Sequence, residues 1–184
     1  MKSQNNLYTL VEKPNDGNFT YRIIGSIVDY MFALDDVDAL IERLTGDEAK
    51  IITLTITEGG YNTNPANGEF NLNNQAVQDD IKNLKHPKTV FGIICEVLRR
   101  RKERNLRGFT ILSCDNLQGN GKIAKKSFTA FAKAVDPSLY EWMLKNVSFP
   151  NCMVDRITPV TTNEDRKMTS DKLGITDQWP VVSE

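Results

Sequence analysis

Two short runs, Ile51-Ile-Thr-Leu-Thr-Ile-Thr57 and Phe109-Thr-Ile-Leu-Ser113, flank a helical segment, and this alternation limits the fold more than any other feature. The first run places apolar residues on alternate positions with threonine between, the pattern of a strand. Between the two, Thr89 to Arg104 carries Val90, Ile93, Ile94, Val97 and Leu98 on one side at helical spacing. Strand, helix and strand in that order make a βαβ unit, which demands parallel pairing with helices laid against the sheet. The expected class is α/β: a mostly parallel sheet with flanking helices.

The remaining segments extend this pattern. Leu7–Val11 and Tyr21–Ile27 are β-rich, and Lys13-Pro-Asn-Asp-Gly17 between them carries turn chemistry, so a hairpin is expected. Asp35-Asp36 caps a helix with Val37, Leu40, Ile41 and Leu44 as its stripe, ending before Gly46. Asn62 to Asn74 holds six asparagines with Pro65 and Gly68, which indicates a surface excursion. Helices are expected over about 121–135, 137–146 and 163–173, a short strand over 154–157, and a last strand at 180–183.

Composition excludes several classes of function. A net charge of −1 gives no global pull towards nucleic acid or membrane, and no apolar stretch approaches the roughly 18 residues a membrane helix needs. The Met-Lys-Ser-Gln-Asn-Asn start lacks the apolar region of a secretory signal. Cys95, Cys114 and Cys152 are odd in number and set in apolar runs, so they read as buried thiols of a reducing compartment, the cytoplasm, and not as a zinc site. The basic stretch Arg99-Arg-Arg-Lys102 with Arg104 and Arg107 falls in the last turns of a helix and reads as a solvated end that complements the macrodipole. His86, the lone histidine, reads as a surface residue.

Three strand-like runs end in small, polar or acidic residues: Thr55-Ile-Thr-Glu-Gly-Gly-Tyr61, Ser113-Cys-Asp-Asn116 and Met153-Val-Asp-Arg156. Ligands of open α/β sheets bind outside the carboxyl ends of the strands, so one site assembled from three loops is expected. Asn116 is a neutral donor that can hold an alkoxide or polarise a carbonyl; capping the next helix is the competing use. The Gly119-Asn-Gly121 turn has a phosphate-binding and a plain-turn reading. Glu58 and Asp155 can position a ligand hydroxyl or relay a proton; each can equally cap a helix, and Asp155 can pair with Arg156.

These segments resemble the long-chain mannitol dehydrogenase family, which includes fructuronate and mannonate reductases. The resemblance rests on Leu-Tyr-Thr-Leu-Val-Glu at 7–12, Ile-Gly-Ser-Ile at 24–27, Leu-Thr-Ile-Thr-Glu-Gly-Gly-Tyr at 54–61 and Pro-Lys-Thr at 87–89. It continues through Phe-Thr-Ile-Leu-Ser-Cys-Asp-Asn-Leu at 109–117, Phe-Pro-Asn-Cys-Met-Val-Asp-Arg-Ile-Thr-Pro at 149–159 and Trp-Pro-Val-Val-Ser-Glu at 179–184. It implies a Rossmann-like sheet and metal-free, NAD-dependent interconversion of a polyol and a ketose, with hexuronate reduction as the alternative. A non-catalytic remnant or interaction module is the alternative of another class. By resemblance, Asn116 is the catalytic oxyanion residue; Thr57, Glu58, Asn116 and Asp155 line the cofactor; Glu58, Asp155 and Arg156 line a polyol or keto-acid substrate. The family's amino-terminal Gly-x-Gly unit and its catalytic lysine have no counterpart in these motifs. The resemblance therefore implies a partial nucleotide-binding domain over 1–184, lacking its first βαβ unit and a helical carboxy-terminal domain, with exposed edges open to self-association.

Overall fold

The computed structural model describes residues 2–154 and 156–183 and divides into two compact units, residues 1–32 with 155–184, and residues 33–154. In the first unit β1 (Tyr8–Glu12) pairs antiparallel with β2 (Thr20–Ile24), the hairpin expected from the Pro–Asp-Gly turn. On its other side β1 pairs in parallel with β5 (Val181–Ser183), giving the order β2-β1-β5. Helix α7 (Asn163–Leu173) starts on a reciprocal capping box between Thr162 and Asp165 and stops at Gly174, whose left-handed conformation lacks a Cβ penalty. Asp165 also takes the Lys13 ammonium at 2.5 Å, and this bond, followed by the Thr162 bonds, lowers its pKa to about 2. Asp177 accepts from the Thr9 amide at 2.6 Å and from Gln4 Nε2 at 2.8 Å.

The second unit contains the βαβ core. Strand β3 (Ile51–Leu54) pairs in parallel with β4 (Thr110–Ser113), with Leu54 opposite Ser113. The helices are α1 (Val37–Thr45), α2 (Thr57–Gly60), α3 (Gln75–Lys82), α4 (Val90–Glu103), α5 (Asn120–Val135) and α6 (Pro137–Asn146). Their apolar faces close over Phe91, Ile94, Val97, Leu98, Ile111, Phe128, Phe131, Leu139 and Met143, all nearly or fully removed from water. Phe91 lies 4.8 Å edge-on from Phe70 and 5.0 Å from Phe128, so the aromatic rings form the centre of the core.

Three expectations need correction. β3 stops at Leu54, not Thr57, because the chain turns there into α2. Val154, Arg156 and Ile157 lie outside any strand. The asparagine-rich stretch 62–74 lies mostly on the surface, as expected, with Phe70 buried; α3 follows it, starting on Asn74, which accepts from the Ala76 and Val77 amides. The basic stretch is not uniformly solvated. Arg101 is fully buried, donating to the carbonyls of Gly46 at 2.6 Å and Arg107 at 2.7 Å, so it satisfies the carboxyl end of α1 as well as its own loop. Arg99 and Arg100 hold the buried Glu96 carboxylate. Burial pushes Glu96 up, but those guanidinium bonds outweigh it and its pKa falls below the usual range.

Candidate functional site

Because β3 and β4 run parallel and in register, the loops after Leu54 and after Ser113 leave the sheet on the same side. That is the side on which α/β proteins bind ligands. A cavity of about 420 Å³ opens there, lined by Asp115 to Asn120 and Asn151 to Val154.

Asp115 builds this end of the unit. It is 6% exposed, and its carboxylate accepts the amides of Ile56 (3.1 Å) and Thr57 (2.8 Å) and the Tyr61 hydroxyl (2.7 Å). Burial raises its pKa, but the Tyr61 and two backbone bonds prevail and hold it ionised below the ordinary aspartate range. Burial pushes the Tyr61 phenol far up, so it remains a donor; its oxygen lies 2.5 Å from Ser113 Oγ. Thr57 sits at φ 62°, a left-handed conformation unfavourable for a β-branched residue, and Asp115 is the group that offsets the cost. The turn carrying Thr57 and Glu58 is thus hooked onto the residue that precedes Asn116.

Asn120 fixes the opposite wall. Its Nδ2 donates to the carbonyls of Asp115 (3.1 Å) and Cys152 (2.8 Å), and its Oδ1 accepts the amides of Cys152 (3.0 Å) and Gly121 (2.8 Å). Gly121 is obligatory here, since a Cβ would run into the backbone of Phe149 and Pro150. The Gly119-Asn-Gly121 turn is therefore a structural junction.

Thr57, Glu58 and Asn116 come together at the ends of the two parallel strands, each exposed. The capping reading of Asn116 fails: α5 begins on Gly119 at φ 68°, without a side-chain cap, and among the described residues Asn116 makes no side-chain hydrogen bond. Arg156 lies in the first unit and pairs with Glu12 at 2.8 Å. Asp155 lies outside the described residues. His86 is exposed, its Nδ1 3.9 Å from Asp38. Among the described residues no cluster of metal-ligating side chains occurs, and no helix is long and apolar enough to cross a membrane. Sequence reasoning missed Asp115 and Asn120, the residues that shape the site. Their signal was weak: a lone acid and a lone amide beside the more conspicuous Asn116.

The sequence matches the profile of the mannitol dehydrogenase Rossmann domain over residues 1–184. The chain belongs to the mannitol dehydrogenase family. It is 44% identical over 183 residues to a polyol:NADP oxidoreductase of Gluconobacter oxydans, covering 100% of this chain and 38% of that protein. Among solved structures, a substrate-free D-sorbitol dehydrogenase superposes with a TM-score of 0.96 at 45% identity, over all of this chain and 38% of its own. The Pseudomonas fluorescens mannitol 2-dehydrogenase, in ternary complex with NAD and D-mannitol, gives 0.95 at 44% identity over 37% of its chain. The chain thus spans little more than a third of the length of the relatives it matches. The fold is that of a Rossmann domain, as the resemblance implied.

Proposed function

We propose that this chain is part of the nucleotide-binding domain of an NAD-dependent polyol dehydrogenase that interconverts a polyol and a ketose. One observation carries the reading: Asn116 stands exposed at the carboxyl end of β4, beside the cavity, and is not used as a helix cap. The parallel strand ends and the cavity beyond them suit a nicotinamide dinucleotide, whose bound ring would accept the hydride. The residues then divide the remaining work. Asn116 donates its amide N–H to the alkoxide that develops as the substrate hydroxyl loses its proton, and stays uncharged at any working pH. The braced turn presents Thr57 and Glu58 on the same side, with Glu58 available to line the cofactor and substrate; it is the family resemblance, and not the geometry, that assigns Asp155 to the same lining and Arg156 to a polar substrate end. Polyols are favoured over hexuronates as substrates because the relatives named above are polyol, sorbitol and mannitol enzymes.

The test uses a full-length relative carrying Ser-Cys-Asp-Asn. Replacing the asparagine equivalent to Asn116 by alanine should lower kcat by about 10²–10³ and leave the melting temperature in place. Unchanged kcat with a lowered melting temperature would remove Asn116 from the chemistry.

A further inference from the structure

The chain leaving α6 touches β4 at Ser148. Thr110 and Ser148 form a parallel bridge, and the Ile111 amide donates to the Ser148 carbonyl at 2.9 Å. Cys114 and Cys152 each lie four residues beyond that bridge, and the Cys152 side chain is a direct neighbour of the Cys114 thiol. A disulfide requires roughly 4.4–6.8 Å between the two Cα atoms. Asn120 confirms the proximity, since one amide nitrogen holds the carbonyl of Asp115, next to Cys114, and that of Cys152.

Neither thiol is committed elsewhere. Both are free and half-buried; Cys114 Sγ is 3.9 Å from the Leu112 carbonyl and Cys152 Sγ 3.4 Å from that of Met153, weak contacts that a χ1 rotation gives up. Burial first, and the neighbouring Cys152 second, push the Cys114 thiol up. Cys152 lines the cavity, and Cys114 is not among its lining residues. Cys95 is fully buried and shares none of this environment.

We propose that Cys114 and Cys152 form a dithiol modification site at the cavity, which closes to an intramolecular disulfide on reaction with a low-molecular-weight disulfide. The Cys152 thiolate attacks one sulfur of the reagent, forming a mixed disulfide and releasing one thiol. The Cys114 sulfur, giving up its proton, then attacks Cys152 Sγ and expels the second reagent thiol. The protein loses two protons and two electrons, and the reagent disulfide, taking them up, is reduced to two thiols. The bond ties the strand end that carries Asp115 and Asn116 to the Asn151–Val154 wall, fixing the mouth of the cavity.

The 184-residue chain is incubated under native conditions with excess oxidised glutathione, acid-quenched, unfolded, alkylated, digested and mapped by mass spectrometry. The expected product is lighter than the reduced chain by two hydrogens, links the Cys114 and Cys152 peptides, and carries alkylated Cys95. Cys114→Ser should stall as a glutathione adduct on Cys152, whereas Cys152→Ser should leave Cys114 free for alkylation. A wild-type chain that keeps a stable adduct on Cys152 with Cys114 alkylated overturns the proposal. So does a chain that reacts at neither, or that links through Cys95. The wild-type map does not depend on either variant folding.

Discussion

The two units keep their apolar side chains from water to very different degrees. Residues 33–154 close a core of Phe91, Phe128, Phe131 and their neighbours, with rings 4.8–6.4 Å apart. In the other unit Val11 and Val182 are the fully buried aliphatic side chains among the described residues, while Ile23, Val28, Phe32, Ile157, Val160 and Trp179 are at least half exposed. That unit relies instead on ionic and polar ties: Lys13 to Asp165, Asp177 to Thr9 and Gln4, Arg156 to Glu12. Buried apolar area responds little to pH or moderate salt, whereas an exposed or half-exposed charge pair is sensitive to both. The contrast teaches that one unit is governed by packing and the other by titratable groups.

The largest expected effect tests the packed unit. Phe128→Ala removes a fully buried ring from the aromatic centre and should cost about 3–5 kcal/mol in denaturant unfolding followed on β3, β4 and α5. A loss under about 1 kcal/mol would mean that this core is not what holds the unit. Next comes Asp115→Ala, which leaves the Ile56 and Thr57 amides and the Tyr61 hydroxyl unpaired and should cost about 2–3 kcal/mol. Hydrogen exchange should quicken first between residues 55 and 61; uniform quickening across the unit would argue against a local brace.

The third effect belongs to the charge-tied unit. Asp165 is ionised to about pH 2 when folded, against 3.8 for an ordinary aspartate. A depressed folded pKa means stability that is complete above the unfolded value and is lost as pH falls from about 4 to about 2. After allowance for solvent contact, the loss is about 1–2 kcal/mol. Asp165→Asn should flatten that part of the pH–stability curve for α7; an unaltered curve would assign the acid sensitivity elsewhere. The smallest effect is Asn116→Ala in this chain, expected to stay within about 0.5 kcal/mol of wild type in thermal unfolding, because the side chain supports no described contact.

Much of the second unit was legible because its strands and helices follow period-2 and helical patterns: 51–54, 110–113, the stripe of α4 and the Asp36 cap of α1. α3 was not, since Val77 and Ile81 are too few to make a stripe and its start depends on one asparagine. The exposed donor Asn116 was legible as a residue type at a strand end. Asp115 was not, because its importance comes from Ile56, Thr57 and Tyr61, nearly sixty residues away in sequence and joined only by the parallel pairing. Arg101 was misread for the same reason: composition shows a basic run, and only the fold shows which arginine turns inward.

The junction at Asn120 also sets how this chain ages. Asparagine followed by glycine is prone to deamidation, in which the next backbone nitrogen attacks the side-chain carbonyl. The sequence has two such pairs, Asn67-Gly68 and Asn120-Gly121. At the second, the Gly121 N–H already donates to Asn120 Oδ1 and to Asn151 Oδ1, inside the first turn of α5, so the attacking nitrogen is tied down. Asn67 lies on an exposed turn outside any helix, where the Gly68 N–H donates to the Asn64 carbonyl at 2.7 Å and Asn67 Oδ1 accepts the Glu69 amide at 2.9 Å, ties that are open to water. Stored folded protein should therefore acquire its first added negative charge at Asn67. Conversion of Asn120, should unfolding allow it, would set a carboxylate against the carbonyls of Asp115 and Cys152 and open the wall of the cavity.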